Sequence, residues 1–371
     1  MESSDDDDRV VRRCPPVASV ALVGTDFLSP ERLPVLLDHL VHEGRLTESS
    51  LVEMIEKVTG LMTHEPNIVR LNDPVTIVGD LHGQFYDLVH IFSIAGGSLP
   101  ERAFLFLGDY VDRGSFSVEI LTYLFAIKLV YPDRVVVVRG NHESKDMNIF
   151  FNFKNECLYK YNQTVYDKFI SSFYAMPIGA IVNDQYLCMH GGISPSLHTL
   201  SQLLVIDRFT EPPLDGLFCD ILWSDPDHVT EGTLPFRPNN ARGCSYFFSH
   251  EAACKFLQDN GLKCIIRAHE VQLDGFKMGP VRPETNLPAV ITVFSAPNYC
   301  DQYGNKGAIL NIINNSIDIV QFDATLHPFT LPGFMNVFDW SIPFLAEKIT
   351  ELLHAIVHVD PQEELLLSPK S

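Results

Sequence analysis

The sequence predicts an α/β fold in which two mixed β-sheets pack face to face and are flanked by helices. Three observations carry that prediction. The short runs Val75-Thr-Ile-Val, Ala103-Phe-Leu-Phe-Leu and Val135-Val-Val-Val are almost wholly apolar and lead into glycine, the third through Arg139, the pattern of strands covered on both faces. Similar runs, Gln185-Tyr-Leu-Cys-Met and Cys264-Ile-Ile-Arg-Ala, follow after residue 180. Between and before them lie helical periodicities, and 371 residues with 46% hydrophobic content suffice for one large core.

The elements follow in chain order. Glu2-Ser-Ser-Asp-Asp-Asp-Asp opens the chain, too charged for a signal peptide, so residues 1–30 are expected to be a disordered acidic segment. Leu51, Met54, Ile55, Val58, Leu61 and Met62 recur at helical spacing before Pro66 and predict an amphipathic helix packed on a sheet. Each apolar run then delivers a chemically active residue just past its carboxyl end. Asp80 and His82 follow the first, Asp109 the second and Asn141 the third; His190 and His269 follow the two later runs. In open α/β sheets, that end of the strands is where sites form.

The residue types suit a pair of cations. Asp80 and His82, one residue apart in an extended backbone, are expected to project from one face onto one ion. Asp109 has two carboxylate oxygens and can bridge two ions, which a histidine cannot. Asn141 adds a neutral carbonyl oxygen. A lone histidine after a strand is ordinarily a core or surface residue, and an Asp-x-His match alone is weak; five placements in order argue for one site. The remaining histidines, His39, His42, His64 and His354 among them, lack that setting and are read as structural or solvated.

A dinuclear site makes its own nucleophile by lowering the pKa of a bridging water, so the expected reaction is direct attack of hydroxide on phosphorus. The leaving alkoxide then needs a proton. His142, beside Asn141, fits as the general acid, with Asp112 orienting its imidazole. Charge on the phosphoryl oxygens calls for bidentate donors, and Arg113 and Arg242 are the candidates; for Arg242, an isolated Arg-Gly, a surface loop is the plain alternative. Tyr299 either adds a hydroxyl at the cleft rim or simply packs.

These motifs, with Leu222-Trp-Ser-Asp-Pro, Arg242-Gly-Cys-Ser-Tyr and Ser295-Ala-Pro-Asn-Tyr, resemble the phosphoprotein phosphatase family of serine/threonine phosphatases over residues 45–325. Within it, Tyr110-Val-Asp-Arg-Gly-Ser-Phe-Ser, Asp207-Arg-Phe-Thr-Glu-Pro-Pro and Pro332-Gly-Phe-Met-Asn-Val-Phe-Asp-Trp are most similar to the calcineurin catalytic subunits. The resemblance implies a calcineurin-like metallophosphoesterase fold for residues 31–328. It implies one ion on Asp80, His82 and Asp109, and another on Asp109, Asn141, His190 and His269. It also implies iron and zinc, with manganese as a substitute, and phosphoserine or phosphothreonine proteins as substrates. The chain departs from calcineurin at Asp318-Ile-Val, where Asn-Ile-Arg serves PxIxIT-type docking, and at Ser144-Lys145 in place of Cys-Arg.

From Phe334 to Val359, apolar residues fall on nearly every side of an expected helix: Phe338, Trp340, Ile342, Phe344, Leu345, Ile349, Leu352, Leu353, Ile356 and Val357. Such a helix must be buried. Its place after the catalytic domain points to a groove-forming partner, so residues 329–359 are read as a partner-binding helix. The resemblance implies an EF-hand, calcineurin B-type regulatory subunit, making a heterodimer with calcium signalling; Trp340 and Phe344 also match the groove used by LxVP-type motifs. Residues 360–371 carry no basic amphipathic segment, so neither calmodulin binding nor autoinhibition is expected from them.

The net charge of −20 disfavours nucleic-acid and anionic-membrane binding, and no stretch is apolar enough for insertion. Eight cysteines show no CxxC pair, which fits reduced thiols in the cytoplasm, with the nucleus as a second compartment. Two rivals share parts of the pattern. A metallophosphoesterase acting on nucleotides or dinucleoside polyphosphates would use the same ligands but not the terminal apolar helix, and an inactive scaffold would not need the complete set.

Overall fold

Burial on both faces accounts for the unbroken apolar runs. In the computed structural model, which describes residues 28–228 and 234–357, every residue of the strands Val75–Val78, Ala103–Phe106 and Val135–Val137 is buried. They lie side by side and parallel, Val75 opposite Ala103 and Phe104 opposite Val135. Gly307–Ile313 and Ser316–Phe322 extend this sheet to five strands on the other side of Val75–Val78. The second sheet has six, in the order Ile68–Leu71, Gly179–Val182, Tyr186–Met189, Cys264–Arg267, Val290–Val293 and Phe276–Met278. Both sheets mix parallel and antiparallel pairs.

The period of two along each strand divides its apolar side chains between two cores. Val75, Ile77, Leu105, Val136 and Leu310 meet Ala180, Cys188, Ile266 and Ile291 of the other sheet. Alternate residues Val78, Phe104, Phe106 and Val137 face helices through Leu124 and Phe125, while Leu187, Met189 and Ile265 face Phe218, Phe256 and Leu257 on the opposite outer side. The result is the two-sheet sandwich flanked by helices that the sequence predicts.

The helix Glu48–Thr63, capped by the Thr47 hydroxyl accepting from Ser50 N–H, corrects one expectation. It buries Leu51, Met54, Ile55, Val58 and Met62, but its chief neighbours are the helices Gln163–Ala175 and Ser117–Val130 rather than a sheet. Ser117–Val130 is buried from Ser117 to Lys128 and itself contacts Val135–Val137. That inner helix covers the sheet, so Glu48–Thr63 forms a second layer.

Contacts divide the chain into a unit ending at Pro328 and another beginning at Phe329. The second contains a tight turn, Pro332–Phe334, and the helix Val337–Val357, which includes Pro343. The acidic segment up to residue 27 and the tail from residue 358 lie outside the described residues. All seven cysteines among the described residues are free thiols.

Candidate dinuclear metal centre

Sharp turns past the strand ends gather the site. His82, Asp109, Asp112, Arg113 and His269 all have positive φ, from 42° to 70°, a left-handed conformation that Asp and His tolerate better than most residues. This corrects the expectation for Asp80 and His82. Their side chains do converge, with Asp80 Oδ2 3.7 Å from His82 Nε2, but through a left-handed turn at His82 rather than by alternation along an extended strand. Close backbone approach is also required: a Cβ on Gly108 would lie 2.4 Å from the Gly140 nitrogen.

Glu143 fixes the crossing of two of these turns. Its buried carboxylate accepts hydrogen bonds from the backbone N–H groups of Asp109, Tyr110 and Gly140 at 2.8, 2.9 and 2.9 Å. Glu143 stands in the Asn141-His-Glu motif, but nothing in the sequence around it marks this role.

The strands of both sheets contribute. Asp109 turns one oxygen to His82 Nε2 at 3.5 Å and the other to His190 Nε2 at 3.4 Å, so one carboxylate faces both halves of the site. His82 and His190 each donate Nδ1–H to a backbone carbonyl, of Val111 at 3.0 Å and Leu107 at 2.9 Å, which turns both Nε2 atoms to the centre. His269 presents Nδ1, 3.1 Å from His190 Nε2, and its backbone N–H donates to Asp80 Oδ1 at 2.9 Å. The buried groups His82, Asp109, His142 and Asp109, His190, His269 are each spaced to hold an ion and share Asp109.

Electrostatics agree. Burial first, then the Asp109 charge, push the Asp80 carboxyl up to about 7. For Asp109 burial opposes ionisation, but charge on His190 and His142 holds it well below the usual carboxylate range. Burial and His142 bring His82 down to about 3, and burial with Arg242 and His190 keeps His269 well below an ordinary imidazole. Both are thus neutral, as a histidine ligand must be, whereas the Asp109, Asp80 and Glu143 charges raise His190 despite its burial, so an ion there would have to displace a proton.

The residues present fit a pair of cations. The amide end of Asn141 lies 2.8 Å from His190 Nε2, 2.9 Å from His269 Nδ1, and 3.2 and 3.3 Å from the Asp109 oxygens. With its oxygen inward it joins the Asp109 oxygens and His269 Nδ1 around one point, where a cation would draw on all of them. Because an ion must displace the proton of Asp80, affinity for manganese falls about tenfold from pH 8 to pH 6, the proton competing as pH drops below about 7. Calorimetric titration of the metal-free chain checks this; an affinity independent of pH would contradict it.

His142 stands beside the ligands with a different commitment. Its Nδ1 pairs with Asp112 Oδ2 at 2.8 Å. Burial pulls the imidazole down, yet Asp109, Asp112 and Glu143 together raise it above its ordinary value. The arginines flank the same cleft of about 730 Å³, lined also by Asp80, Asn141, Trp223 and Tyr299. Arg113 stacks on the Phe151 ring at 3.8 Å. Arg242 is no isolated surface arginine: its Nε donates to Asp225 Oδ2 at 2.9 Å and its Nη2 to the His269 carbonyl at 3.1 Å. Asp225 also accepts from Arg267 Nη2 at 2.9 Å, a role that its Leu222-Trp-Ser-Asp-Pro motif does not reveal in the sequence. Tyr299 is buried against His82, their ring centroids 5.0 Å apart, so it packs as well as lining the cleft.

Residues 73–273 match the family model described as calcineurin-like phosphoesterase, a span that contains every proposed ligand together with His142 and Arg242. The chain belongs to this family. It is 43% identical to serine/threonine-protein phosphatase 2B catalytic subunit A2 of Saccharomyces cerevisiae over 96% of its own length and 64% of that protein. It is 45% identical to catalytic subunit A1 of the same yeast over 94% of its length and 67% of that protein. It thus spans about two thirds of these curated relatives. Among solved structures it is similar to a Saccharomyces cerevisiae protein serine/threonine phosphatase described as similar to human phosphatase PP5, with 34% identity, a TM-score of 0.73, and coverage of 80% of this chain and 96% of that one. Membership of this phosphoesterase family and the two ligand groups sharing Asp109 together make the site a dinuclear metal centre.

Proposed function

We propose that the chain is the catalytic subunit of a calcineurin-type protein serine/threonine phosphatase. The observation that carries this reading is the Asp112–His142 pair at 2.8 Å, in the same cleft as the ligands and the two arginines. Asp80, His82 and Asp109 would hold one ion and Asp109, Asn141, His190 and His269 the other, iron and zinc being the expected pair and manganese a substitute. When bound, the ions supply Lewis acidity toward the phosphoryl group and make hydroxide available near neutral pH.

The chain's own groups do the rest. Arg113 and Arg242 bind the phosphoryl oxygens, Arg242 pre-oriented by Asp225, and Asn141 borders the same position. Asp112 holds the proton on His142 Nδ1, so the proton given to the leaving serine or threonine oxygen comes from Nε2. The cleft is open, with Phe150 80% exposed and Tyr303 59% exposed beside it, which suits a polypeptide rather than an enclosed nucleotide.

The helix Val337–Val357 supports the partner. Phe338, Trp340, Phe344, Ile349, Leu352, Leu353 and Ile356 are exposed along it, and a helix with that much uncovered apolar surface calls for a groove. An EF-hand B-type subunit is the proposed occupant. Among the described residues no helix is long and apolar enough to cross a membrane.

The test is hydrolysis of a phosphoserine peptide by the chain co-purified with a B-type subunit, set beside a dinucleoside polyphosphate. Peptide turnover that rises with the subunit is expected. Turnover of the dinucleotide alone would reject the reading. Trp340→Ala with Phe344→Ala should abolish co-purification; undiminished capture would remove the helix from the interface.

A further inference from the structure

Asn148 is buried completely in the short helix Lys145–Phe151, at the edge of the catalytic cleft and outside the ligand set. A buried amide in a helix is costly unless its hydrogen bonds are made. Asn148 Nδ2 donates twice, to Asp112 Oδ2 at 3.0 Å and to the backbone carbonyl of His142 at 2.7 Å, while its buried Oδ1 accepts nothing. One side chain therefore grips both members of the proton-delivering pair, the carboxylate of one and the backbone of the other.

The remaining anchors show what this grip controls. Asp112 Oδ1 accepts from the Phe153 backbone N–H at 2.9 Å, and Oδ2 receives both His142 Nδ1 and Asn148. Without Asn148, Asp112 would keep one anchor besides His142 and could turn about its last torsion. The carbonyl of His142 would lose its side-chain donor as well. The phosphate-binding arginines and the ligands would keep all the contacts described above, since Asn148 bonds to none of them.

We propose that Asn148 is a positioning residue for proton delivery by His142, whose contribution grows as the leaving oxygen becomes more basic. The inference rests on the phosphatase reading and on His142 as the acid. A serine alkoxide needs the proton, whereas nitrophenolate departs without one. Loss of Asn148 should therefore separate the two leaving groups, which a merely structural role would not do.

The test uses the full chain loaded with manganese. Asn148→Leu keeps the size and removes both donors; Asn148→Ser, milder in folding, keeps one. For Asn148→Leu the kcat on a phosphoserine peptide should fall about tenfold further than the kcat on p-nitrophenyl phosphate, with KM unchanged. Asn148→Ser should fall between, both variants should retain wild-type metal content, and the separation should vanish in an Asp112→Asn background. Equal losses on both substrates, loss of metal, or no loss on either would overturn the proposal, and Asn148→Ser alone suffices to show any of these if the leucine variant does not fold. Wild-type chain that fails to hydrolyse the peptide would overturn the phosphatase reading itself, and the proposal with it.

Discussion

Asp109→Asn lowers turnover by about 10⁴-fold or more and strips the chain of at least one ion. The size of the effect follows from geometry. Asp109 alone turns one oxygen to His82 and the other to His190, so a single change weakens both halves of the centre. Asparagine is the informative replacement because it tolerates the left-handed φ of 55° at this position. It can also keep an oxygen for the His142 backbone N–H, which Asp109 Oδ1 accepts at 2.9 Å. What it removes is the charge and the second oxygen, replaced by an amide that donates where an ion needs a lone pair. Elemental analysis of metal content with steady-state kinetics reads both consequences; full occupancy with turnover within tenfold of wild type would deny Asp109 the bridging role.

His142→Gln lowers turnover about 10²- to 10⁴-fold on phosphoserine while both ions stay bound. The separation of activity from metal matters because His142 is also spaced to join His82 and Asp109 around an ion. Two observations favour the acid. Its Nδ1 pairs with the Asp112 carboxylate, whereas those of His82 and His190 pair with backbone carbonyls, and Asp109, Asp112 and Glu143 raise its pKa. A ligand has to be neutral and an acid has to be charged. Loss of an ion on substitution would reverse the assignment.

The parts of the molecule legible in the sequence are those set by local pattern. Strands buried on both faces leave continuous apolar runs, and Asp80, Asp109, Asn141, His190 and His269 can be placed because each stands just past one. The left-handed turn at His82 leaves no such trace beyond the glycine that follows, so the convergence with Asp80 is legible and the backbone that achieves it is not. Glu143 shows a different limit: its three donors come from two loops that cross only in the folded chain. Arg242 depends on Asp225, and Asn148 on Asp112, partners that no periodicity connects. The helix Glu48–Thr63 displays its apolar face plainly, but not whether a sheet or another helix will meet it.

The origin of the ligands has a consequence for how the protein is made. Asp80, His82, Asp109 and Asn141 follow strands of the five-stranded sheet, while His190 and His269 follow strands of the six-stranded one. Yet neither position is finished early in synthesis, because Glu143 holds the Asp109 turn and the His269 backbone N–H holds Asp80. Both therefore wait until His269 has left the ribosome and the sheets have closed on each other. Ions held there would rivet one layer to the other, so that chelation should loosen the sandwich as well as silence the site.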